Sequence, residues 1–232
     1  MEDSNITNIK ESDYNLHLHD VTIERTLNEI EFTETDILKA FSSLNVYKSA
    51  EPHGLHLQIL FELRNVISTP LRIIFNASMH TKQIPNDWIN ANITAIHEKG
   101  NKSDLSNYRP ASLTSIVCKV MEWFVRDRIL KHFTDNNLFS NNQFGFVKGR
   151  STMLQLLRIM DEWTECLESG GQINVIYTDF EKAFDKVSHK MLLHKLRLYR
   201  LNEAVIHWIT SFLWNRKQRV KVNCLFQTGP MY

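Results

Sequence analysis

The sequence predicts an α+β fold, and three observations predict it. Apolar residues recur at helical spacing through most of the 232 residues. Past the first 32 residues, three short stretches, residues 91–97, 173–177 and 218–224, carry strand-like composition. Hydrophobic residues make up 43% of the chain and aromatic residues 10%, enough to build a core in one large domain or two small ones.

Residues 1–32 are acid-rich and without a clean period, and read as a tail or linker, with strand-like residues 21–23 the one exception. From Thr33, a suitable N-cap, Ile37, Leu38, Phe41 and Leu44 follow helical spacing. A break over residues 49–54, holding Pro52 and Gly54, separates this helix from a second that carries Leu55, Ile59, Leu60 and Leu63. A third helix is expected to start near Pro70, a residue suited to a first turn, and to end before Pro85. Residues 91–97 read as a strand leading into a polar loop, 98–107. A long amphipathic helix follows from Leu113 to Asp135, with Ile116, Val120, Trp123, Phe124 and Ile129 inward.

Past a loop at 136–150, Ser151 caps a helix expected to bury Leu154, Leu157, Met160 and Leu167, and Gly170–Gly171 stop it. Residues 173–177 form a short, β-branched, apolar run that reads as a buried strand ending at Asp179. Helices over 188–200 and 203–214 precede residues 218–224, where Val220 and Val222 alternate with Arg219, Lys221 and Asn223 as in a half-exposed strand. No internal repeat is present.

The formal net charge of +1 conceals an uneven distribution. Residues 1–36 hold ten acids and two bases, and residues 98–150 nine bases and five acids. Six acids and one base follow over 151–181, then ten bases and two acids over 182–221. A solvated surface accounts for any single block. Two basic blocks around an acidic one also fit a polyanion-binding face built around a cation site. The three cysteines are far apart, which argues against a disulfide framework or zinc cluster and for a reducing compartment. No apolar run reaches the roughly 20 residues of a membrane span, and the first residues resemble neither a secretory signal nor a transit peptide.

The sharpest local feature is Asp179, placed where the 173–177 run ends. A carboxylate there is held by the backbone and suits Mg²⁺, a hard ion bound through one or two carboxylates plus substrate phosphates. A strand-terminal aspartate equally caps the helix that follows, so this segment alone leaves both roles open. Residues 143–152 only faintly suggest a phosphate loop, because the Gly-Lys-Ser/Thr order is missing. The ten histidines lack metal-ligand spacing and read as surface residues, whereas Trp123, Trp163, Trp208 and Trp214 fall in helical patterns and read as core.

Several motifs together resemble one family. Asn107-Tyr108-Arg109-Pro110-Ala111-Ser112-Leu113 is similar to the N-Y-R-P-x-S-L motif of reverse transcriptases from non-LTR (LINE-type, jockey-like) retrotransposons. Gln143-Phe144-Gly145-Phe146 with Gly149-Arg150-Ser151-Thr152 resembles their next motif, and residues 179–185 resemble their D-F-x-K-A-F-D motif. The resemblance runs over about residues 35–228, in order. Glu98 stands where that family commonly has Lys, and Val147 where it has Arg.

The resemblance implies a right-hand polymerase fold, mostly helical with a small antiparallel sheet. Residues 1–32 would be a tail, 33–90 an N-terminal helical region, 91–170 the fingers and 171–232 an incomplete palm. It implies an RNA-directed DNA polymerase working with an RNA template, a DNA primer, deoxynucleoside triphosphates and Mg²⁺, inside the cell and in the nucleus. Asp179 would be the first catalytic carboxylate, with the Phe180 carbonyl as a further metal ligand. Phe184 would lie under the sugar, while Arg109 and Lys99 would grip the triphosphate. Lys148, Arg150, Arg216, Lys217 and Arg219 would contact nucleic acid. The family's Tyr-x-Asp-Asp motif is absent from these 232 residues, which hold no adjacent Asp pair, so the chain by itself is expected not to polymerise. A non-catalytic nucleic-acid-binding remnant is the alternative.

Overall fold

The computed structural model describes residues 23, 25–47, 56–180, 183–222 and 225–230. The acidic stretch through residue 22, the break at 49–54, residues 181–182 of the third motif and Cys224 lie outside the described residues. Two compact units divide the chain: one reaches His132 and resumes at His189, and the other is Phe133–Ser188.

In the first unit, α1 (Glu34–Ser42) opens with a capping box, as the hydroxyl of Thr33 accepts the Asp36 amide at 3.1 Å and Asp36 Oδ2 accepts the Thr33 amide at 3.2 Å. The Thr33 hydroxyl also donates to Asp36 Oδ2 at 2.6 Å, and this bond, with the weaker one from the Thr33 amide, holds the Asp36 carboxyl below its ordinary pKa. The helices α2 (Leu57–Glu62) and α3 (Arg64–Thr81) meet at Leu63, so α3 starts a turn and a half before Pro70. Proline in the interior removes one helical donor, and the orphaned carbonyl belongs to exposed Val66, where water can reach it. The helix α4 (Ile116–Asp135) starts later than its apolar spacing suggests, because residues 108–114 are a strand.

These helices enclose an aromatic core with α7 (Glu203–Leu213). Phe75 meets Phe32 and Trp88 edge-on at 5.5 and 5.7 Å, and Phe32 meets Phe124 at 5.7 Å. The buried indole of Trp208 donates to Ser78 Oγ at 3.1 Å, and that hydroxyl donates to the Gln83 carbonyl at 2.6 Å. Among the described residues, no buried side-chain nitrogen or oxygen lacks a partner. Trp123 and Trp214, read as core, are exposed instead. Trp123 lies on the solvent side of α4 beneath the Arg126 guanidinium, and Trp214 is the residue at which α7 ends. His132 is the converse, buried with its Nε2 2.8 Å from the Tyr199 carbonyl.

The end of the supposed tail belongs to this core. Ile30 and Phe32 are buried, and the Asn76 side chain on α3 clamps Phe32 by accepting its amide at 3.0 Å and donating to its carbonyl at 2.9 Å. Leu27 pairs with Leu201, just beyond α6 (His189–Leu198), through the Arg200 carbonyl. An amide side chain that mimics a strand partner is invisible to periodicity, which is why this segment reads as unstructured.

Four strands form one sheet in the order β2-β1-β3-β4: β1 (Asn90–His97), β2 (Tyr108–Thr114), β3 (Lys217–Val222) and β4 (Leu225–Pro230). The sheet is mixed rather than antiparallel. β1 pairs antiparallel with β2 and β3 with β4, but β1 and β3 run parallel, with Asn92 opposite Arg219. Parallel neighbours need a long crossover, supplied here by everything between residues 97 and 217. Pro110 is tolerated because β2 is an edge strand.

The second unit holds α5 (Thr152–Glu168), capped by the Ser151 hydroxyl and closed by Gly170 and Gly171. A side chain at residue 171 would meet Cys166 Sγ at 2.6 Å. No residue of α5 is buried, and Leu154, Leu157, Met160 and Leu167, the expected inner stripe, are exposed.

Candidate functional site

Asp179 sits in the second unit on a segment without regular secondary structure, not at the end of a buried strand. Residues 171–180 carry no strand assignment, and Ile176 and Tyr177 are 86% and 88% exposed. A run of this kind becomes a buried strand only where a neighbouring strand pairs its backbone. Among the described residues of this unit, α5 and the last residues of α4 are the only regular elements. The Asp179 carboxylate is exposed, and its Oδ1 accepts the Phe180 amide at 2.9 Å. Phe180 and Phe184 are exposed too, and Phe184 begins a turn closed by the Val187 amide.

Arg109 and Lys99 belong to the β1–β2 hairpin of the first unit. Its loop is stapled at several points, by Glu98 N–H to the Asn107 carbonyl at 2.9 Å and by the Tyr108 hydroxyl to the Lys102 carbonyl at 2.9 Å. The rings of His97 and Tyr108 meet edge-on at 5.2 Å. Gly100, at φ +76°, packs so closely on Asn107 that a Cβ would lie 2.6 Å from its Nδ2. Asp104 accepts the Ser106 hydroxyl and amide, which hold its carboxyl below the ordinary value. Lys99 is exposed in the loop, and Arg109, also exposed, stands 3.8 Å from Glu98 Oε1.

The basic residues are unevenly available. Lys217 is exposed on β3. Arg219 donates through Nε to the Asn92 side chain at 2.5 Å, across the parallel register. Arg216 folds back over the Phe212 ring at 4.5 Å and donates to the Phe212 carbonyl. Its charge acts on a pair that no motif marks, buried Cys118 and half-buried Glu122, whose Sγ and Oε1 are 3.2 Å apart. Burial raises the Glu122 carboxyl above its ordinary pKa, and burial with the neighbouring Glu122 raises the Cys118 thiol. Their i, i+4 spacing on α4 is the one sequence signal that could have found them. In the second unit Lys148 is exposed, while Arg150 is half-buried and bonded to its own loop.

Residues 96–230 match the family described as reverse transcriptase (RNA-dependent DNA polymerase). The chain belongs to that family. The match takes in all ten residues named above for metal, nucleotide and nucleic-acid contact. The reverse transcriptase domain is similar to the probable RNA-directed DNA polymerase from transposon BS of Drosophila melanogaster, at 29% identity over 189 residues, 81% of this chain and 21% of that protein. It is also 32% identical over 155 residues to the RNA-directed DNA polymerase from mobile element jockey of the same species, covering 66% of this chain and 17% of that protein. The chain thus spans about a fifth of these curated relatives' length.

Reverse transcriptases generally use divalent metal ions, and template, primer and nucleotides are the partners the family implies. Among the described residues, no three His, Cys, Asp or Glu side chains group closely enough to hold an ion. No helix among the described residues is long and apolar enough to cross a membrane.

Proposed function

We propose that the chain is the nucleic-acid-binding and nucleotide-binding part of a non-LTR retrotransposon's RNA-directed DNA polymerase. The observation that carries this reading is the family match over residues 96–230, which includes the β1–β2 hairpin with Arg109 and the segment with Asp179. The hairpin would serve as fingers, presenting Arg109 and Lys99 to a triphosphate. Asp179 would give one carboxylate, and the Phe180 carbonyl a second donor, to Mg²⁺, which when bound neutralises charge on the phosphates. The Phe184 ring would favour deoxynucleotides by crowding a 2′-hydroxyl. Lys148 and Lys217 are the exposed cations best placed to meet phosphates.

With one acidic motif and no adjacent Asp pair in its sequence, the chain by itself binds a primed RNA template without extending it. Purified protein is incubated with labelled primer–template, deoxynucleotides and Mg²⁺ over a salt series. The expected result is binding whose affinity falls steeply with salt, by a slope of about −0.7 to −0.9 per phosphate contact, and no product. Primer extension would refute the inactivity. Binding that ignores salt would refute the nucleic-acid assignment.

A further inference from the structure

Within the second unit, the loop over residues 136–150 is built around a cation that the loop itself consumes. Arg150 donates through Nη1 to the Ser140 carbonyl at 2.5 Å and to the Gln143 carbonyl at 2.7 Å. Its guanidinium lies 5.9 Å from the centre of the Phe144 ring, and its amide donates to the Val147 carbonyl at 3.1 Å. The Gln143 amide closes a turn onto Ser140, and Arg158 of α5 reaches the Asn141 carbonyl at 3.3 Å. At the loop's start, the Phe133 and Phe139 rings pack 5.4 Å apart. A planar guanidinium bridging two carbonyls is a fixed brace, which a lysine ammonium reproduces poorly.

What the brace presents is Phe146. Its ring is 92% exposed, and its backbone stands at φ +60°, a region that bulky L residues rarely occupy. An exposed aromatic ring alone is unremarkable on a protein surface. One held in an unfavourable backbone conformation by a braced loop points to use, because such a conformation persists only where its surroundings enforce it. Two residues on, Lys148 is exposed beside Gly149. A ring for a base and a nearby ammonium for its phosphate are the two elements of single-strand binding.

We propose that this loop is a preformed stacking contact for single-stranded nucleic acid, in which Phe146 is the platform, Lys148 the phosphate contact and Arg150 a positioning residue. The proposal rests on the nucleic-acid reading above and moves Arg150 out of the set of phosphate contacts.

The test uses the full chain and a single-stranded RNA oligonucleotide carrying 2-aminopurine, titrated at several salt concentrations. Wild type is expected to quench the 2-aminopurine. Phe146→Ala should weaken binding roughly 5- to 100-fold and abolish the quench with the salt slope unchanged, whereas Phe146→Trp should keep both. Lys148→Ala should reduce the slope by about 0.7. Arg150→Lys, with the charge retained, should behave like Phe146→Ala. Unaltered affinity and quench in Phe146→Ala would overturn the proposal and leave the ring to a protein partner. A flattened salt slope in Arg150→Ala with the quench intact would overturn the positioning role. If wild type fails to bind RNA at all, the preceding functional reading falls and takes this one with it. Binding by wild type with unaffected variants sinks this inference alone.

Discussion

The two units handle apolar residues in opposite ways. In the first, Phe41, Phe75, Met121 and Trp208 are fully buried, and the polar atoms beside them are matched to partners such as Ser78. In the second, α5 has an equally regular apolar stripe and buries none of it. The contrast shows that amphipathic spacing specifies a helix, but burial depends on whether other elements can pack against the stripe. α3 has α1 and α7 beside it, whereas among the described residues of its own unit α5 has only loops and the end of α4. The residues named for function divide between the units, Arg109 and Lys99 in the first and Asp179 in the second, and all three are exposed.

Substitutions that remove packing should sharpen this comparison most. Trp208→Ala, which deletes a buried indole and orphans its bond to Ser78, should cost about 3–5 kcal/mol in urea denaturation. A loss below about 1 kcal/mol would mean that the first unit's core is far looser than its burial indicates. Thr33→Ala removes one half of the α1 capping box and should cost about 1 kcal/mol. Because Asp36 is held below its ordinary value of 3.8, the bond it makes stabilises above that pH and is lost as pH falls through the lowered value. The Thr33→Ala penalty should therefore shrink in acid. Met160→Ala on α5 should change stability by less than about 0.5 kcal/mol, since the side chain has little to lose. A cost of several kcal/mol there would break the comparison outright.

The last prediction is visible only as a change of slope. Glu122 is raised above its ordinary 4.5, so its protonated form favours the fold, and that contribution is lost as pH rises through the raised value. Glu122→Gln should therefore match wild type in acid and become the more stable protein toward neutral pH. Identical pH profiles would show that Arg216 and Cys118 already compensate the buried charge.

Much of the fold was legible from residues 33–135 and 188–222, because caps and periodicity are local. Thr33 and Ser151 open helices as their chemistry requires, and Gly170 with Gly171 closes one. The β1 and β3 strands are where alternation and β-branching place them. The strand at 108–114 was not legible, since its residues double as a plausible helix start and its pairing with β1 is what settles the matter. Of the site, residue identities and order were readable from motifs, whereas the state of each side chain was not. Nothing in sequence spacing says that Arg219 is bonded to Asn92, or that Arg150 is consumed by its own loop.

By itself, then, the sequence determined helix positions, two strands, the family and the identity of the candidate site residues, all of which depend on neighbours a few positions away or on motif order. Tertiary structure alone decided that β1 and β3 run parallel, that Phe32 is core and the α5 stripe is not, and which cations remain available to a ligand. The physical reason is common to all of these. Burial, strand direction and the partner of a long charged side chain depend on groups tens to more than a hundred residues away, and only packing brings those groups together.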